Sequence, residues 1–394
     1  MLYLFALLQL AVYLFLAPLM RLHFFESELG VDYAFGLALV FVLAFVLGAK
    51  WAGKSGLFAS PGIRLPPAEF TGIGQVAIVT WAGLYVAVVV TYGLSDRRIG
   101  TELAAELFAA IPPLVTIFFR SFEVVLPYLI AVITLRYLAV GRLTVGECVV
   151  LLAMLGAFAM SGAANSRSQT AFEVMAIVAI VQNSISRPRL LRLFVALVAL
   201  ASVVMVLVTA NRVATSDDVS VEDYVSHEIL KRLDGLELLS RIVDSHGIEV
   251  LGVNPTAASI PLLAGIPFLA RAQSLKAEAM TNVKAVILDE ELDSSGRDTN
   301  SFVLVDSYYC GGLLGMVSVG LLLGASTRLV DRCIGRTKRR GIQLLLAALA
   351  LNLVALEREA IGIGVAVLRD WVILSAVAQL VLRFDAGVRR QAKA

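Results

Sequence analysis

The sequence contains little charge for its length. Asp, Glu, Lys and Arg make up 16% of its 394 residues, whereas hydrophobic residues make up 59%. A soluble globular protein carries about 25% charged residues, so this composition excludes an ordinary soluble protein. The net charge of +2 is also too small to support nucleic-acid binding.

Cysteine, histidine and the common catalytic motifs are scarce as well. The three cysteines, Cys148, Cys310 and Cys333, have neither metal-ligand spacing nor the even count of a disulfide framework. The three histidines are too scattered along the chain for a metal site. The sequence contains no P-loop, dinucleotide fingerprint, HExxH pair or GxSxG elbow. We therefore expect no metal and no other cofactor, and ATP-driven chemistry has no support.

Long apolar runs are abundant. Because about 20 apolar residues cross a bilayer as a helix, the chain has room for roughly ten crossings. The predicted helices are 2–20, 33–49, 74–93, 121–139, 145–161, 168–184, 190–210, 302–324, 341–356 and 361–383. The run 104–118 is short and contains Pro112 and Pro113, so we interpret it as interfacial or re-entrant. The sequence thus predicts an all-α, polytopic integral membrane protein with about 10–12 transmembrane helices.

Basic residues in short linkers predict the orientation of these helices. They are Arg187, Arg189, Arg192, Arg328, Arg332, Arg336, Lys338, Arg339, Arg340, Arg389, Arg390 and Lys393. The positive-inside rule makes these linkers cytoplasmic. Counting back through ten crossings puts the N-terminus in the cytoplasm, and we expect the first helix to be retained because it lacks a basic n-region and a cleavage site. The chain then divides into N-terminal transmembrane helices (1–210), a large extracytoplasmic loop (211–300) and C-terminal transmembrane helices (301–394).

The extracytoplasmic loop is the one predicted loop large enough to carry a site. Acidic residues outnumber basic ones in it by fifteen to eight. The segment 220–223 resembles a capping box, and an amphipathic pattern follows it as far as Gly247, which predicts a surface-lying helix. Arg232 and Arg241 on this helix each follow a glutamate by four residues. They either form ordinary surface pairs or project arginine forks that hold a phosphate. The apolar, proline-broken segment 254–270 cannot span, and we expect it to be buried in protein or to line a wet cavity.

Several ionisable residues lie where the predicted topology does not require them. Arg167 ends a polar link on the extracytoplasmic side, and it either snorkels to the headgroups or forms an anion site. Asp306 lies about one turn inside an apolar run, where a carboxylate is costly unless it is paired or faces a cavity. Arg358 and Arg369 are out of place in the same sense. The glycines after Asp306 permit close helix packing.

The chain resembles the Wzy-type O-antigen polymerases, within the wider group that includes the O-antigen ligases, in its architecture over most of its length and in short motifs. Asp306-x-Tyr308-x-x-x-Gly312-x-x-Gly315 is similar to that family's acidic-tyrosine-glycine-glycine helix start, although the family usually has Glu at the first position. The arginine-ended link 161–167 and the long loop before the last three helices resemble the family as well. The segment 266–276 is similar to its proline-arginine-lysine stretch.

The resemblance implies a GT-C-like glycosyltransferase at the periplasmic face of the bacterial inner membrane. Its donor and acceptor would both be oligosaccharides linked to undecaprenyl pyrophosphate, and a chain-length regulator and a flippase would be its further partners. Because the pyrophosphate leaving group needs fixed cations, basic and polar residues would bind it. The substrate-binding candidates are Arg167, Arg232, Arg241, Arg271, Arg297, Asn300, Tyr308 and Arg358. The candidate general base is Asp306, with Asp234 and His246 behind it.

Three other functions fit the same pattern. An O-antigen ligase would share the architecture and the donor, and His246 in the loop keeps that function open. A transporter or flippase for a lipid-linked oligosaccharide would use the out-of-place arginines along its route, although the sequence has no internal repeat of the kind many transporters show. A non-catalytic scaffold would need neither Asp306 nor those arginines. Single substitutions at these residues therefore separate a scaffold from an enzyme.

Overall fold

The computed structural model describes ten helices, and each coincides with one of the ten predicted apolar runs. The described residues are 1–16, 28–54, 68–94, 111–164, 167–214, 303–337, 339–356 and 360–383, together with Leu236, Leu239, Ser240 and Val243. The helices are α1 (Leu2–Ala11, continued by a π-helical segment Val12–Leu16), α2 (Glu28–Lys54), α3 (Gly72–Thr91), α4 (Pro113–Val140), α5 (Val145–Ala164), α6 (Arg167–Val181), α7 (Arg187–Ala214), α8 (Val303–Cys333), α9 (Arg340–Leu353) and α10 (Ala360–Val381). Two short strands, β1 (Glu69–Phe70) and β2 (Leu382–Arg383), pair antiparallel.

Five of the described helices contain a stretch long and apolar enough to cross a membrane. The stretches are Asp32–Lys54, Gly72–Thr91, Leu114–Val140, Gly311–Cys333 and Ile363–Val381. Shorter apolar helices pack among them, and large apolar side chains such as Leu43, Ile73 and Leu380 face outward. An outward-facing apolar surface on this scale suits lipid and not water. The protein is therefore an all-α, polytopic membrane protein, as the composition predicts.

The segment around the paired prolines differs from its prediction. Residues 113–118, interpreted as part of an interfacial or re-entrant segment, belong to α4 instead. Pro112 is the N-cap of this helix and Pro113 is its first residue. Proline is favoured at the first helical position because the N–H group it lacks has no partner there in any helix. The prolines thus start the helix that they were expected to interrupt, and residues 104–110 lie outside the described residues.

One end of the bundle is fixed by contacts to Asp331, near the end of α8. Its carboxylate accepts hydrogen bonds from the backbone N–H groups of Leu2 and Tyr3, at 2.9 and 3.1 Å, and so caps the start of α1. It also accepts one from the side chain of Gln182, just after α6, at 2.8 Å. Arg332 donates to the carbonyl of Gly53 at the end of α2. We call this the Asp331 end of the bundle.

The pairing of the two strands and a side-chain contact show how α3, α9 and α10 lie relative to the two ends of the bundle. Trp371 of α10 donates from its indole N–H to the carbonyl of Gly341 at 2.9 Å, so the later part of α10 lies beside the start of α9. The strand pairing joins the start of α3 to the end of α10 at the Asp331 end. At the other end, the N–H of Val303 donates to the carbonyl of Leu356 at 2.9 Å. We call this the Val303 end. Consecutive helices run alternately between the two ends, and the side of the membrane that each end faces stays a prediction.

Helices α2 and α8 pack with their backbones in contact. A Cβ at Gly48 would overlap the carbonyl of Leu321, and a Cβ at Gly324 would overlap the carbonyl of Phe45. Gly320 lies equally close to α2, 3.0 Å from Ala44 when a Cβ is placed on it. Small residues at such spacing allow helices in lipid to approach closely, which confirms the packing interpretation for Gly320.

Helix α8 is kinked at Gly312. The φ and ψ angles of this residue are 55° and −148°, a conformation that only glycine adopts readily. Residues 303–311 therefore form a separate helical segment before the longer segment 313–333. The first segment contains the predicted site residues Asp306 and Tyr308, so the kink sets the direction of this part of α8.

Candidate functional site

Most of the site residues predicted from the sequence lie outside the described residues. They are Arg232, Asp234, Arg241, His246, Arg271, Arg297, Asn300 and Arg358. Arg167 is the first residue of α6 and Asp306 lies in the first segment of α8, but only their backbones are described. Tyr308 is described in full: it is 2% exposed, and its phenol forms a hydrogen bond with that of Tyr33 at the start of α2. Its predicted role in substrate binding stays a prediction.

The predicted amphipathic helix of the loop is described at four positions. Leu236, Leu239, Ser240 and Val243 are helical and buried. Their spacing places them on one face of a helix. The three apolar members belong to the same apolar core as the transmembrane helices. This face therefore packs against protein.

An arginine–glutamate–tyrosine group begins the polar interior of the bundle, in which Glu123 and Tyr85 are buried and the Arg120 side chain is 49% exposed. Arg120 donates to Oε2 of Glu123, one turn later on α4, at 2.9 Å. The hydroxyl of Tyr85 on α3 donates to Oε1 of the same carboxylate at 3.1 Å. Tyr85 is fully buried and its ring stacks on that of Phe119, with centroids 4.5 Å apart. The stacking fixes the ring and so aims its hydroxyl at Glu123.

The same tyrosine connects Glu123 to a second buried carboxylate. The Tyr85 hydroxyl also faces the Ser161 side chain near the end of α5. The Ser161 hydroxyl lies 3.1 Å from Oε1 of Glu173 on α6. Glu123 is 8% exposed, Ser161 0% and Glu173 3%. We call the five residues Arg120, Glu123, Tyr85, Ser161 and Glu173 the polar chain.

The polar chain lies toward the Val303 end of the bundle. Glu173 is six residues, about 9 Å of helix rise, after the start of α6 at Arg167. Ser161 is near the end of α5, and α5 and α6 meet at this end. Helix α7 ends and α8 begins on the same side, so the residues between them, 215–302, depart from and return to it. The predicted loop and the polar chain therefore share one end of the molecule.

Placing two carboxylates in a membrane interior has a high energetic cost. An isolated buried charge is unstable by many kcal/mol, so buried carboxylates occur where they are paired, hydrogen-bonded or used. A scaffold held by apolar packing does not need them. The polar chain is for this reason the candidate functional site among the described residues.

A third buried carboxylate, Asp370 on α10, has a different environment. The amide of Asn352 on α9 donates to its Oδ2 at 2.8 Å. The guanidinium of Arg369 donates to its Oδ1, also at 2.8 Å. Asp370 thus accounts for Arg369, which looked out of place in the sequence. Both carboxylate oxygens accept from N–H groups, which only donate hydrogen bonds. The Asn352–Asp370 contact therefore joins α9 to α10.

The Asp331 end has a polar group that resembles the polar chain in its residue types but differs from it in its hydrogen-bond partners. Arg136, near the end of α4, contacts Glu69 of β1 at 2.7 Å and Glu147 of α5 at 3.3 Å. Glu147 also accepts from the N–H of Thr144, and the Thr144 hydroxyl accepts from the N–H of Glu147. This reciprocal pair is a capping box at the start of α5. The group caps the start of α5 and joins α5 to α4 and β1.

Glu123 and Glu173 are not among the site candidates predicted from the sequence. The signal was present, because each is a single carboxylate within an apolar run, as Asp306 is. The partners Tyr85 and Ser161 give no such signal, because a tyrosine or a serine is common in membrane helices. Only the packing of α3, α4, α5 and α6 brings these residues together. Within the described ranges, no three His, Cys, Asp or Glu side chains come together as a metal site.

Comparisons with known proteins do not identify a relative. No protein-family model, no curated protein and no solved structure matches the chain. What the structure establishes is therefore the class of molecule, an all-α polytopic membrane protein, and a polar chain near the end of the bundle at which α7 ends and α8 begins.

Proposed function

We propose that the protein is a membrane glycosyltransferase of the polysaccharide-polymerase type. It joins oligosaccharide repeat units linked to undecaprenyl pyrophosphate, at the periplasmic face of a bacterial inner membrane. The resemblance of segments 161–167 and 306–315 to Wzy-type polymerases suggests this activity. GT-C-like architecture is part of the same proposal.

One structural observation supports this proposal more than any other: the polar chain lies at the end of the bundle from which residues 215–302 depart. A lipid-linked donor needs a site that meets both the bilayer and the aqueous phase. Arg167 begins α6 at this end, and Asp306 and Tyr308 lie in the first segment of α8, also at this end. Arginines here would stabilise the charge that develops on the departing pyrophosphate.

The chemistry requires a proton acceptor as well as cations. The attacking hydroxyl of the acceptor sugar loses a proton as the new glycosidic bond forms, and the bond from the donor sugar to the pyrophosphate breaks. In the proposed reaction the first segment of α8 supplies that acceptor through Asp306. Because Asp306 lies six residues before the kink at Gly312, the direction of this segment is important for the reaction.

The experiment is a polymerisation assay with the purified protein and a synthetic undecaprenyl-pyrophosphate repeat unit, in the presence of a metal chelator. We expect a ladder of products in the wild type, and loss of the ladder in Asp306→Ala, Arg167→Ala and Arg241→Ala. Arg142→Ala is the matched control, because Arg142 is an exposed arginine in the linker between α4 and α5 at the Asp331 end. Equal activity in all four variants would contradict the proposal.

A transporter of lipid-linked oligosaccharides is the second candidate. The buried carboxylates of the polar chain favour it, because carboxylate chains inside membranes often relay the protons that drive transport. Reconstituted vesicles separate the two functions. Movement of the substrate across the vesicle membrane without product elongation would support the transporter and contradict the polymerase, whereas transfer to lipid A-core alone would support the ligase.

A further inference from the structure

Two basic linkers that are far apart in the sequence meet at the Asp331 end of the bundle. The side-chain amide of Asn183, in the linker between α6 and α7, donates to the carbonyls of Asp331 and Ile334, at 2.7 and 2.9 Å. Ile334 follows α8 and begins the linker to α9. At Gly335 the φ angle is 73°, and a Cβ there would lie 2.7 Å from the hydroxyl of Ser184. The two linkers are therefore held in direct contact.

This contact brings the arginines of both linkers to one surface. Arg187 is the first residue of α7, and Arg189 and Arg192 follow in its first two turns. Arg336 lies in the turn after α8, and Arg339 is the N-cap of α9. All five residues are exposed. We call them the arginine patch.

The arginine patch forms no ion pair with any carboxylate among the described residues. The described ion pairs of arginine involve Arg120, Arg136 and Arg369 instead. The carboxylate of Asp331, which lies closest to the linker contact, is only 7% exposed and accepts from the N–H groups of α1 and from Gln182. Like charges on one surface repel each other and destabilise the folded state, and an anion bound among them removes this repulsion.

The arginines of the patch do not stabilise the helices on which they lie. Helices α7 and α9 each begin with an arginine and have no acidic residue in the first turn. Positive charge is unfavourable at a helix start, because it faces the positive end of the helix dipole. The positive-inside rule explains why both linkers are basic, but it does not require them to touch. The patch therefore calls for an anionic partner outside the described helices.

Apolar side chains next to the patch identify this partner as lipid. Leu191 and Val195 lie one residue before and three residues after Arg192, and they are 62% and 58% exposed. An apolar surface continuous with the arginines suits the hydrocarbon region beside them. Trp51, near the end of α2 at the same end of the bundle, is 66% exposed, as is typical of tryptophan at a membrane interface. The arginine patch therefore lies at the level of the lipid phosphates.

We propose that the arginine patch binds the phosphate groups of acidic phospholipids, in the leaflet that the Asp331 end faces. Guanidinium groups hold phosphate oxygens with paired hydrogen bonds. The phosphate of phosphatidylglycerol carries a net negative charge, whereas that of phosphatidylcholine is neutralised by its choline group. Acidic lipids would therefore join the two linkers by charge as well as by the Asn183 hydrogen bonds. The inference does not depend on the proposed function, because the patch and the polar chain lie at opposite ends of the bundle.

Native mass spectrometry of the purified protein, titrated with phosphatidylglycerol or with phosphatidylcholine, tests the proposal. We expect the wild type to retain phosphatidylglycerol in preference, and the preference to weaken as the concentration of ammonium acetate is raised, because salt screens the charges. The triple variant Arg187→Gln, Arg189→Gln, Arg192→Gln should bind phosphatidylglycerol about tenfold or more less tightly, because each basic residue near an anionic membrane surface contributes about fivefold. Its binding of phosphatidylcholine should not change.

The triple variant Lys50→Gln, Arg142→Gln, Arg383→Gln is the matched control, because it removes three exposed basic residues at the same end but outside the patch. It should keep the preference for phosphatidylglycerol. Circular dichroism and gel filtration report whether each variant is folded. If the α7 variant does not fold, the double variant Arg336→Gln, Arg339→Gln on the other linker carries the test.

Equal losses in the patch variant and the control variant, or a wild type without preference between the two lipids, would overturn the proposal. Binding of a polyglutamate peptide in place of phosphatidylglycerol would overturn it as well, because the partner would then be an acidic protein segment.

Discussion

Helix α4 has an arginine–glutamate group near each of its ends, and the two groups use the same residue types differently. Near the Asp331 end, Arg136 contacts Glu69 and Glu147, and Glu147 completes the capping box at the start of α5. Near the Val303 end, Arg120 contacts Glu123, whose other oxygen accepts from a hydroxyl that leads on to a second carboxyl. In the first group the Thr144 hydroxyl donates to Glu147 and accepts from its N–H, so its contacts stay within the capping box. In the second group the Tyr85 and Ser161 hydroxyls contact carboxylates on other helices.

The two groups differ in where their hydroxyls lie: the Thr144 hydroxyl belongs to the helix cap itself, whereas the Tyr85 hydroxyl comes from another helix. Guanidinium, amide and backbone N–H groups hold a carboxylate in place. Hydroxyl groups hold it as well, but they also connect it to the next group along. Composition alone therefore does not distinguish a helix cap from a candidate functional chain, whereas the sequence of donors and acceptors does.

The largest expected effect comes from removing Glu123. Glu123→Ala leaves the Tyr85 hydroxyl without its acceptor and Arg120 without its carboxylate, and we expect it to lower the free energy of unfolding by about 2–3 kcal/mol. Titration with SDS in mixed micelles, followed by tryptophan fluorescence, measures this quantity. Glu123→Gln restores an acceptor for Tyr85 and should lose less. A loss no larger than that of Glu147→Ala would remove the energetic difference between the two groups.

Glu147→Ala should have the next largest effect on stability, and none on function. It removes a helix cap and one of the two carboxylates of Arg136, at a cost of about 1–2 kcal/mol. The same SDS titration gives the stability, and the polymerisation or transport assay gives the activity per folded molecule. A specific loss of activity would show that the group at the Asp331 end is more than structural.

Tyr85→Phe should separate stability from function most sharply. It removes one hydroxyl and keeps the ring that stacks on Phe119, so we expect a stability loss of about 1 kcal/mol. Because it breaks the polar chain, the activity should fall by much more than the stability loss explains. Tyr128→Phe, at another buried tyrosine on α4, is the matched control and should retain activity. Equal activities of the two variants would contradict a functional role for the chain.

Arg136→Lys should have the smallest effect. Lysine keeps the positive charge but cannot contact Glu69 and Glu147 with a planar fork, and we expect a loss of about 0.5 kcal/mol. Thermal unfolding in detergent, compared at two salt concentrations, detects it. A loss as large as that of Glu123→Ala would mean that the two ends of α4 depend equally on their ion pairs.

The helices could be predicted from the sequence because each is a long run of apolar residues bounded by polar ones. Lipid leaves the backbone no alternative to a helix in such a run, so hydrophobicity decides the structure locally. The prediction for the paired prolines at 112–113 was wrong because proline has opposite effects at different positions of a helix. It breaks a helix from within but favours the first turn, and only the position of the helix start decides between them.

The polar chain could not be predicted, because its members are far apart in the sequence and two of them are inconspicuous. Glu123 and Glu173 stand out as carboxylates in apolar runs, but nothing near them in the sequence identifies Tyr85 and Ser161 as their partners. The contacts depend on how four helices pack, and that packing is set by many small apolar contacts. Most of the site residues suggested by the family resemblance lie outside the described residues, so their roles stay predictions.

The close packing of α2 against α8 has a mechanical consequence. Two helices in backbone contact at Gly48, Gly320 and Gly324 cannot slide or rotate past each other without collision. Helices α2 and α8 therefore form a rigid pair. Helices α3 to α6, which carry the polar chain, do not take part in this contact. If the molecule changes shape during its cycle, we expect helices α3 to α6 to move relative to this rigid pair. Within the pair, the kink at Gly312 is the point at which the first turns of α8 can bend.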